Sequence, residues 1–144
     1  MTTNKKYFST KSTITILILW FLVFTLITLL FIGYSKEKLP IAPIAIVSLV
    51  TVILIWILFD TRYVIKGENL YYRSGPFRSR INIKKIKKMK YFSGLNVPVI
   101  TKPALDTKGY IITTNTTDIF VSPEKSEDFI AEIKKINSDI IIEN

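Results

Sequence analysis

Two long apolar runs dominate the first sixty positions. TITILILWFLVFTLITLLFIGYS and LPIAPIAIVSLVTVILIWILF flank the short polar stretch Lys36-Glu37-Lys38. Between Lys11 and Lys36 lie 24 uncharged residues, and between Lys38 and Asp60 lie 21. A helix rises about 1.5 Å per residue, so about 20 residues cross a hydrocarbon core about 30 Å thick. Both runs reach that length. They predict a transmembrane α-hairpin over residues 13–59, with spans near Thr13–Gly33 and Ile41–Phe59 and a loop at Tyr34–Leu39. Pro40 suits the first turn of the second helix, where a missing N–H is no loss. Thr15, Thr25 and Thr28 can return their hydroxyls to the helix backbone. Trp56 and Phe59 suit an interfacial belt.

After Phe59 the pattern shortens to strand length. TRYVIK and LYYRS flank Gly67-Glu68-Asn69, which predicts a β-hairpin. Gly75-Pro76 is a further turn. RSRINI alternates, with Ser79, Ile81 and Ile83 on one face and Arg80 and Asn82 on the other. A brief turn is expected at Lys84–Lys87 and a strand at Lys88–Phe92. Ser93–Lys108 is expected as a long loop holding a short strand at Val97–Thr101. GYIITT and DIFV predict a last hairpin around Asn115-Thr116-Thr117. Ser122 and Pro123 are expected as N-cap and first residue of a closing helix. Phe129, Ile130, Ile133 and Ile136 form one apolar stripe, and the helix is expected to stop near Asn137.

Composition narrows the chemistry. The 144 residues contain no Cys and no His. That excludes disulfides, thiolate metal sites, an HExxH centre and the commonest general base. Neither apolar run carries an ionisable residue, which argues against an ion pathway and for an anchor. No enzyme and no cofactor are expected. The net charge is +9, and it is uneven. Residues 62–90 hold ten Lys or Arg against the single acid Glu68. Lys5, Lys6 and Lys11 precede the first span and a basic segment follows the second, while the connecting loop carries only Lys36 and Lys38. By the positive-inside rule, both termini are expected on the cytoplasmic side of the cytoplasmic membrane. The chain thus divides into a basic flank at 1–12, the hairpin at 13–59 and a domain at 60–144.

The order of short antiparallel strands followed by one amphipathic helix fits an α+β, pleckstrin-homology-like (PH-like) barrel or sandwich. Particular words match as well. They are Tyr72-Arg73-Ser74-Gly75-Pro76 with Ile81-Asn82-Ile83, Lys102-Pro103-Ala104-Leu105 with Lys108-Gly109, and Val121-Ser122-Pro123-Glu124 with Phe129-Ile130. In these the tail resembles the small bacterial PH-like domains of membrane-anchored proteins of unknown function. The resemblance implies an anchored, non-enzymatic domain and supplies no ligand. Read structurally, Pro103 stiffens a loop, Leu105 plugs a barrel end, and Gly109 supplies a positive φ.

The most distinctive charge feature is the run Arg78, Arg80, Lys84, Lys85, Lys87, Lys88 and Lys90. It is read as a solvated, topology-setting face, as a contact for anionic lipid headgroups, or as a contact for an acidic protein partner. Juxtamembrane basic residues contribute about 1 kcal/mol each where they reach an anionic surface. Nucleic acid is not expected, because no aromatic-and-basic surface of an RNA-binding motif accompanies the run. Two functions follow: a membrane-anchored binding or scaffold module, or an accessory subunit whose hairpin packs against a larger membrane complex. Small-residue faces in the spans would favour the second function; Gly33 alone in the first span, and Ala42, Ala45 and Ser48 near one end of the second span, lean to the first.

Overall fold

The computed structural model describes residues 4–35 and 40–143. Most of the connector expected at Tyr34–Leu39 lies outside them, and Tyr34 and Ser35 belong to the first helix rather than to a loop. Two helices, α1 (Thr13–Ser35) and α2 (Ile41–Phe59), form the apolar hairpin. Both are long and apolar enough to cross a membrane. Neither concentrates its apolar residues on one side, and only Val23, Thr51 and Leu58 are buried. Such a surface suits hydrocarbon all round. Thr25, Thr28 and Thr51 donate their hydroxyls to the carbonyls of Phe21, Phe24 and Val47, so these polar groups are satisfied within their own helix. Pro40 stands just outside α2, as its N-cap in extended conformation.

The remaining chain forms two four-stranded sheets. The first has the order β1-β2-β3-β4: Asn4–Phe8, Thr61–Lys66, Asn69–Ser74 and Phe77–Asn82, all antiparallel. A 3₁₀ turn at Ile83–Lys85 leads into the second sheet. There β5 (Ile86–Ser93), β6 (Lys108–Thr114) and β7 (Asp118–Val121) run antiparallel, and β8 (Ile141–Glu143) lies parallel to β5. The helix α3 (Ser126–Ile136) precedes β8 and lays Phe129 and Ile133 into the core. Both sheets supply that core, with Tyr63, Ile65 and Leu70 from the first and Met89, Ile112 and Ile119 from the second.

The first strand departs most from the sequence reading. The basic flank forms β1, pairing Lys5 with Ile65 and Tyr7 with Tyr63. Tyr7 is buried and meets the Phe129 ring edge-on at 5.2 Å. The sheet is therefore completed by a segment on the other side of the hairpin. Short strand length and two lysines hide such an edge strand, because its period emerges only against a partner.

Smaller corrections concern the loops. No strand forms at Val97–Thr101; Thr101 makes a single bridge to Ile119. Ser122 does not cap α3, which starts four residues later, and Pro123 instead bridges Ser9. Ser122 is buried, its hydroxyl 2.8 Å from that of Ser9, so tertiary partners replace the cap. Asn137 ends α3, and its amide donates to the carbonyls of Ile83 and Ile86. The chain continues beyond that helix into β8. Positive φ occurs at Gly67 and Gly75 and not at Gly109. Gly109 serves close approach: a Cβ there would lie 2.2 Å from the carbonyl oxygen of Val121.

Candidate functional site

The strands of the first sheet alternate between a buried and an outer side. Tyr63 and Ile65 of β2 face the core, so Arg62, Val64 and Lys66 face outward. Register then places these outward residues in three cross-strand rows. The row nearest the hairpin is Phe8, Arg62, Arg73 and Arg78. Next come Lys6, Val64, Tyr71 and Arg80, and then Asn4, Lys66, Asn69 and Asn82. The face thus carries Lys6, Arg62, Lys66, Arg73, Arg78 and Arg80, with no carboxylate in its rows.

Three arginines side by side repel one another, since like charges directly opposite in a sheet are destabilising. Asp60, at the end of α2, relieves part of this. Its Oδ2 lies 2.8 Å from Arg73 Nε and its Oδ1 lies 3.3 Å from Arg62 Nε. Trp56 Nε1 donates to the same carboxylate at 3.1 Å, and the Arg73 guanidinium lies 5.7 Å from the indole ring centre. Arg78 and Arg80 have no carboxylate partner among the described residues. At the foot of the face, Gly75 packs on Ile57 of α2, so the β3–β4 turn sits on the last turn of that helix.

The basic run of the sequence is dispersed by this geometry. Arg78 and Arg80 share the outer face. Lys84 lies beyond the far end of β4, where it pairs with Glu68 of the β2–β3 turn. At about 3.3 Å per residue, the six residues of β4 place that end about 20 Å from the β3–β4 turn. Lys88 pairs with Glu143 of β8 at 2.6 Å, on the second sheet. Lys85, Lys87 and Lys90 are exposed. Sequence reasoning missed Lys6, Arg62, Lys66 and Arg73 as companions of Arg78 and Arg80. The alternation of TRYVIK signals the outward position of Arg62 and Lys66, but joining them to Arg78 takes the strand register.

A second charged cluster ties β1 to α3. Lys5 Nζ lies 3.0 Å from Glu132 and 3.3 Å from Asp128, and Tyr7 Oη donates to Asp128 at 2.8 Å. Lys135 holds Glu132 from the other side at 3.2 Å. The Glu132 carboxyl is held below its ordinary range, chiefly by the hydrogen bond from Lys5. Asp128 is lowered by the hydrogen bonds from Tyr7 and then Lys5. Burial pushes the Tyr7 hydroxyl up. The same holds for Tyr63, which stays a donor to the Pro103 carbonyl while accepting from Ser122 N–H. The Ser9 hydroxyl accepts from Leu105 N–H, and Ser12 N–H donates to the Leu105 carbonyl. Leu105 is buried where the segment leading into α1 crosses the domain.

Two packed sheets, a closing helix and an apolar hairpin define an α+β domain of PH type carrying two candidate transmembrane helices. The chain belongs to the bacterial PH domain family, whose model matches residues 61–137. That match excludes β1, the hairpin and β8. The chain is similar to the uncharacterized protein YyaB of Bacillus subtilis (strain 168), 33% identical over 98 residues. The similarity covers 62% of this chain and 62% of the relative's length. No solved structure gives a significant match.

Proposed function

We propose that the protein is a non-enzymatic binding or scaffold module held at the cytoplasmic face of the cytoplasmic membrane by its hairpin, with an acidic protein partner bound on the outer face of the first sheet. The observation that carries this reading is the arrangement of six basic side chains in three rows, with Arg78 and Arg80 unpaired among the described residues. The upper rows, with Lys6, Arg80 and Lys66, stand away from the hairpin and suit a partner in the cytoplasm. Lys85, Lys87 and Lys90 add exposed positive charge away from this face, whereas Lys84 and Lys88 are paired with Glu68 and Glu143. The cytoplasmic placement is supported by the excess of Lys and Arg on the domain side of the hairpin over Lys36 and Lys38 in its connector.

Co-purification of the full-length protein in mild detergent, followed by mass spectrometry, tests this. An acidic protein should be retained in stoichiometric amount and should elute as salt rises, because the Debye length shrinks from about 8 Å at physiological ionic strength to about 3 Å at 1 M. The triple variant Lys6→Gln, Lys66→Gln, Arg80→Gln should lose it. Retention unchanged in that variant, or no stoichiometric partner, counts against the proposal.

A second reading, an accessory subunit of a larger membrane complex, is favoured by one observation. Ala42, Ala45 and Ser48 lie three residues apart on α2 and are all exposed, so α1 does not use this small-residue face. Small residues let transmembrane helices approach closely. If this reading holds, Ala45→Leu with Ser48→Leu should release a copurifying membrane protein that the triple variant retains.

A further inference from the structure

A groove of about 610 Å³ lies where the hairpin meets the domain, between the last turn of α2, the start of β4 and the loop 100–104. That volume lies within the range of about 300–1,000 Å³ usual for small-molecule sites. Its wall is of two kinds. Ile57, Phe77 and Ile100 are apolar, whereas Arg78 and Lys102 are its charged residues, with no carboxylate among the lining. Phe77 is 67% exposed and Ile100 is fully exposed, large apolar side chains that no protein group covers. Ile57 lies two residues before the end of α2. On the reading of α2 as a membrane span, the apolar wall is therefore level with the hydrocarbon boundary, and the cations lie just beyond it.

We infer that this groove holds an anionic phospholipid, its phosphate between Arg78 and Lys102 and an acyl chain along Ile57 and Phe77. The inference rests on the membrane-tethered reading and places the ligand at the free edge of β4, where Arg78 borders a groove otherwise lined on this strand pair by Tyr72, Ser74 and Ser79 of the alternate rows. Charge decides against a neutral lipid. Arg73 is already committed to Asp60, so it cannot neutralise a second anion cheaply, and Arg78 beside it has no counter-charge among the described residues. The apolar wall decides against a soluble anion, which gains nothing from Ile57, Phe77 or Ile100. A phospholipid satisfies both halves and arrives by lateral diffusion, since the groove adjoins the helix that the bilayer surrounds. Tyr72, Ser79 and Thr101, also among its lining, carry hydroxyls of the kind that suits glycerol and phosphate oxygens.

The test uses the full-length protein. In native mass spectrometry from detergent micelles supplied with equal phosphatidylglycerol and phosphatidylcholine, wild type should retain phosphatidylglycerol preferentially. Arg78→Gln with Lys102→Gln should lower that retention by more than about tenfold, since each charge-assisted hydrogen bond lost costs at least about that factor. Lys84→Gln with Lys85→Gln, at the far end, should leave it unchanged. A benzophenone amino acid at position 77 should crosslink to lipid in isolated membranes. Equal retention of the two lipids, retention unaffected by the Arg78–Lys102 variant, or a crosslink to protein overturns the inference. Alkaline extraction of the same membranes separates the levels. A protein that stays membrane-bound without selecting phosphatidylglycerol loses only the groove assignment, whereas a protein that is washed off overturns the tether as well.

Discussion

At the scale of single residues, charge is used to join parts of the chain far apart in sequence. Lys5 reaches Glu132 and Asp128, so one lysine near the amino terminus fastens β1 to α3. Both carboxyls are held below their ordinary values of 4.5 and 3.8, and folding therefore favours their ionised forms. The sign follows by linkage: their contribution is present above those values and is lost as pH falls through the lowered folded ones. Lys5 is raised above 10.5, so its contribution is present below that value and is lost only in stronger alkali. The fastening thus holds through the neutral range and fails in acid. Thermal melts of the detergent-solubilised protein should show Tm dropping below about pH 4, and Glu132→Gln should reduce the slope of that acid limb. An acid limb identical in the variant would place the loss elsewhere.

At the scale of elements, the second sheet was legible where hydrophobic period and turn chemistry agree. GYIITT and DIFV form the expected hairpin, and the Phe129–Ile133 stripe of α3 enters the core. Ile133→Asp should bury an unpaired carboxylate at a cost of several kcal/mol, comparable with the whole stability of a small domain. Limited proteolysis in membranes should then degrade the domain while the hairpin stays inserted; a resistant domain fragment would contradict the packing. Less legible were the elements whose partners are distant. Ser122 has every local sign of a cap, yet Ser9 and Thr10, more than a hundred residues away, take its hydroxyl and carbonyl. Two of the six basic residues on the outer face, Arg78 and Arg80, stood out in the sequence as part of a run. Arg62 and Arg73 lie on consecutive strands, and only the register of β2 against β3 sets them beside each other. The strand β1 should prove essential to the sheet. A soluble chain joining residues 4–12 to 60–143 through a short Gly/Ser linker should show cooperative melting, with a Tm well above that of 60–143 alone. Equal melting of the two chains would mean that β1 is dispensable.

For the whole molecule, the hairpin is an insertion between two strands of one sheet. Its two ends are bound in: Ser12 N–H donates to Leu105, and Asp60 takes both Arg62 and Arg73. The segments before α1 and after α2 therefore lie together, and on a membrane-spanning reading they occupy one side. Reporter fusions before Asn4 and after Asn144 should both give the cytoplasmic signal, in keeping with the Lys and Arg distribution. Opposite signals from the two fusions would be incompatible with the β1–β2 pairing.

That pairing also sets an order of events in biogenesis. Asn4–Phe8 leaves the ribosome first, but Thr61–Lys66 is made only after both apolar helices have been synthesised. The first strand stays unpaired until then, and the long loop it finally closes makes sheet completion a late, slow contact. A chain whose amino end has been carried across the membrane cannot make it at all. On a membrane-spanning reading, a wrongly oriented chain would keep an open sheet edge, the state that cellular proteases and chaperones act on.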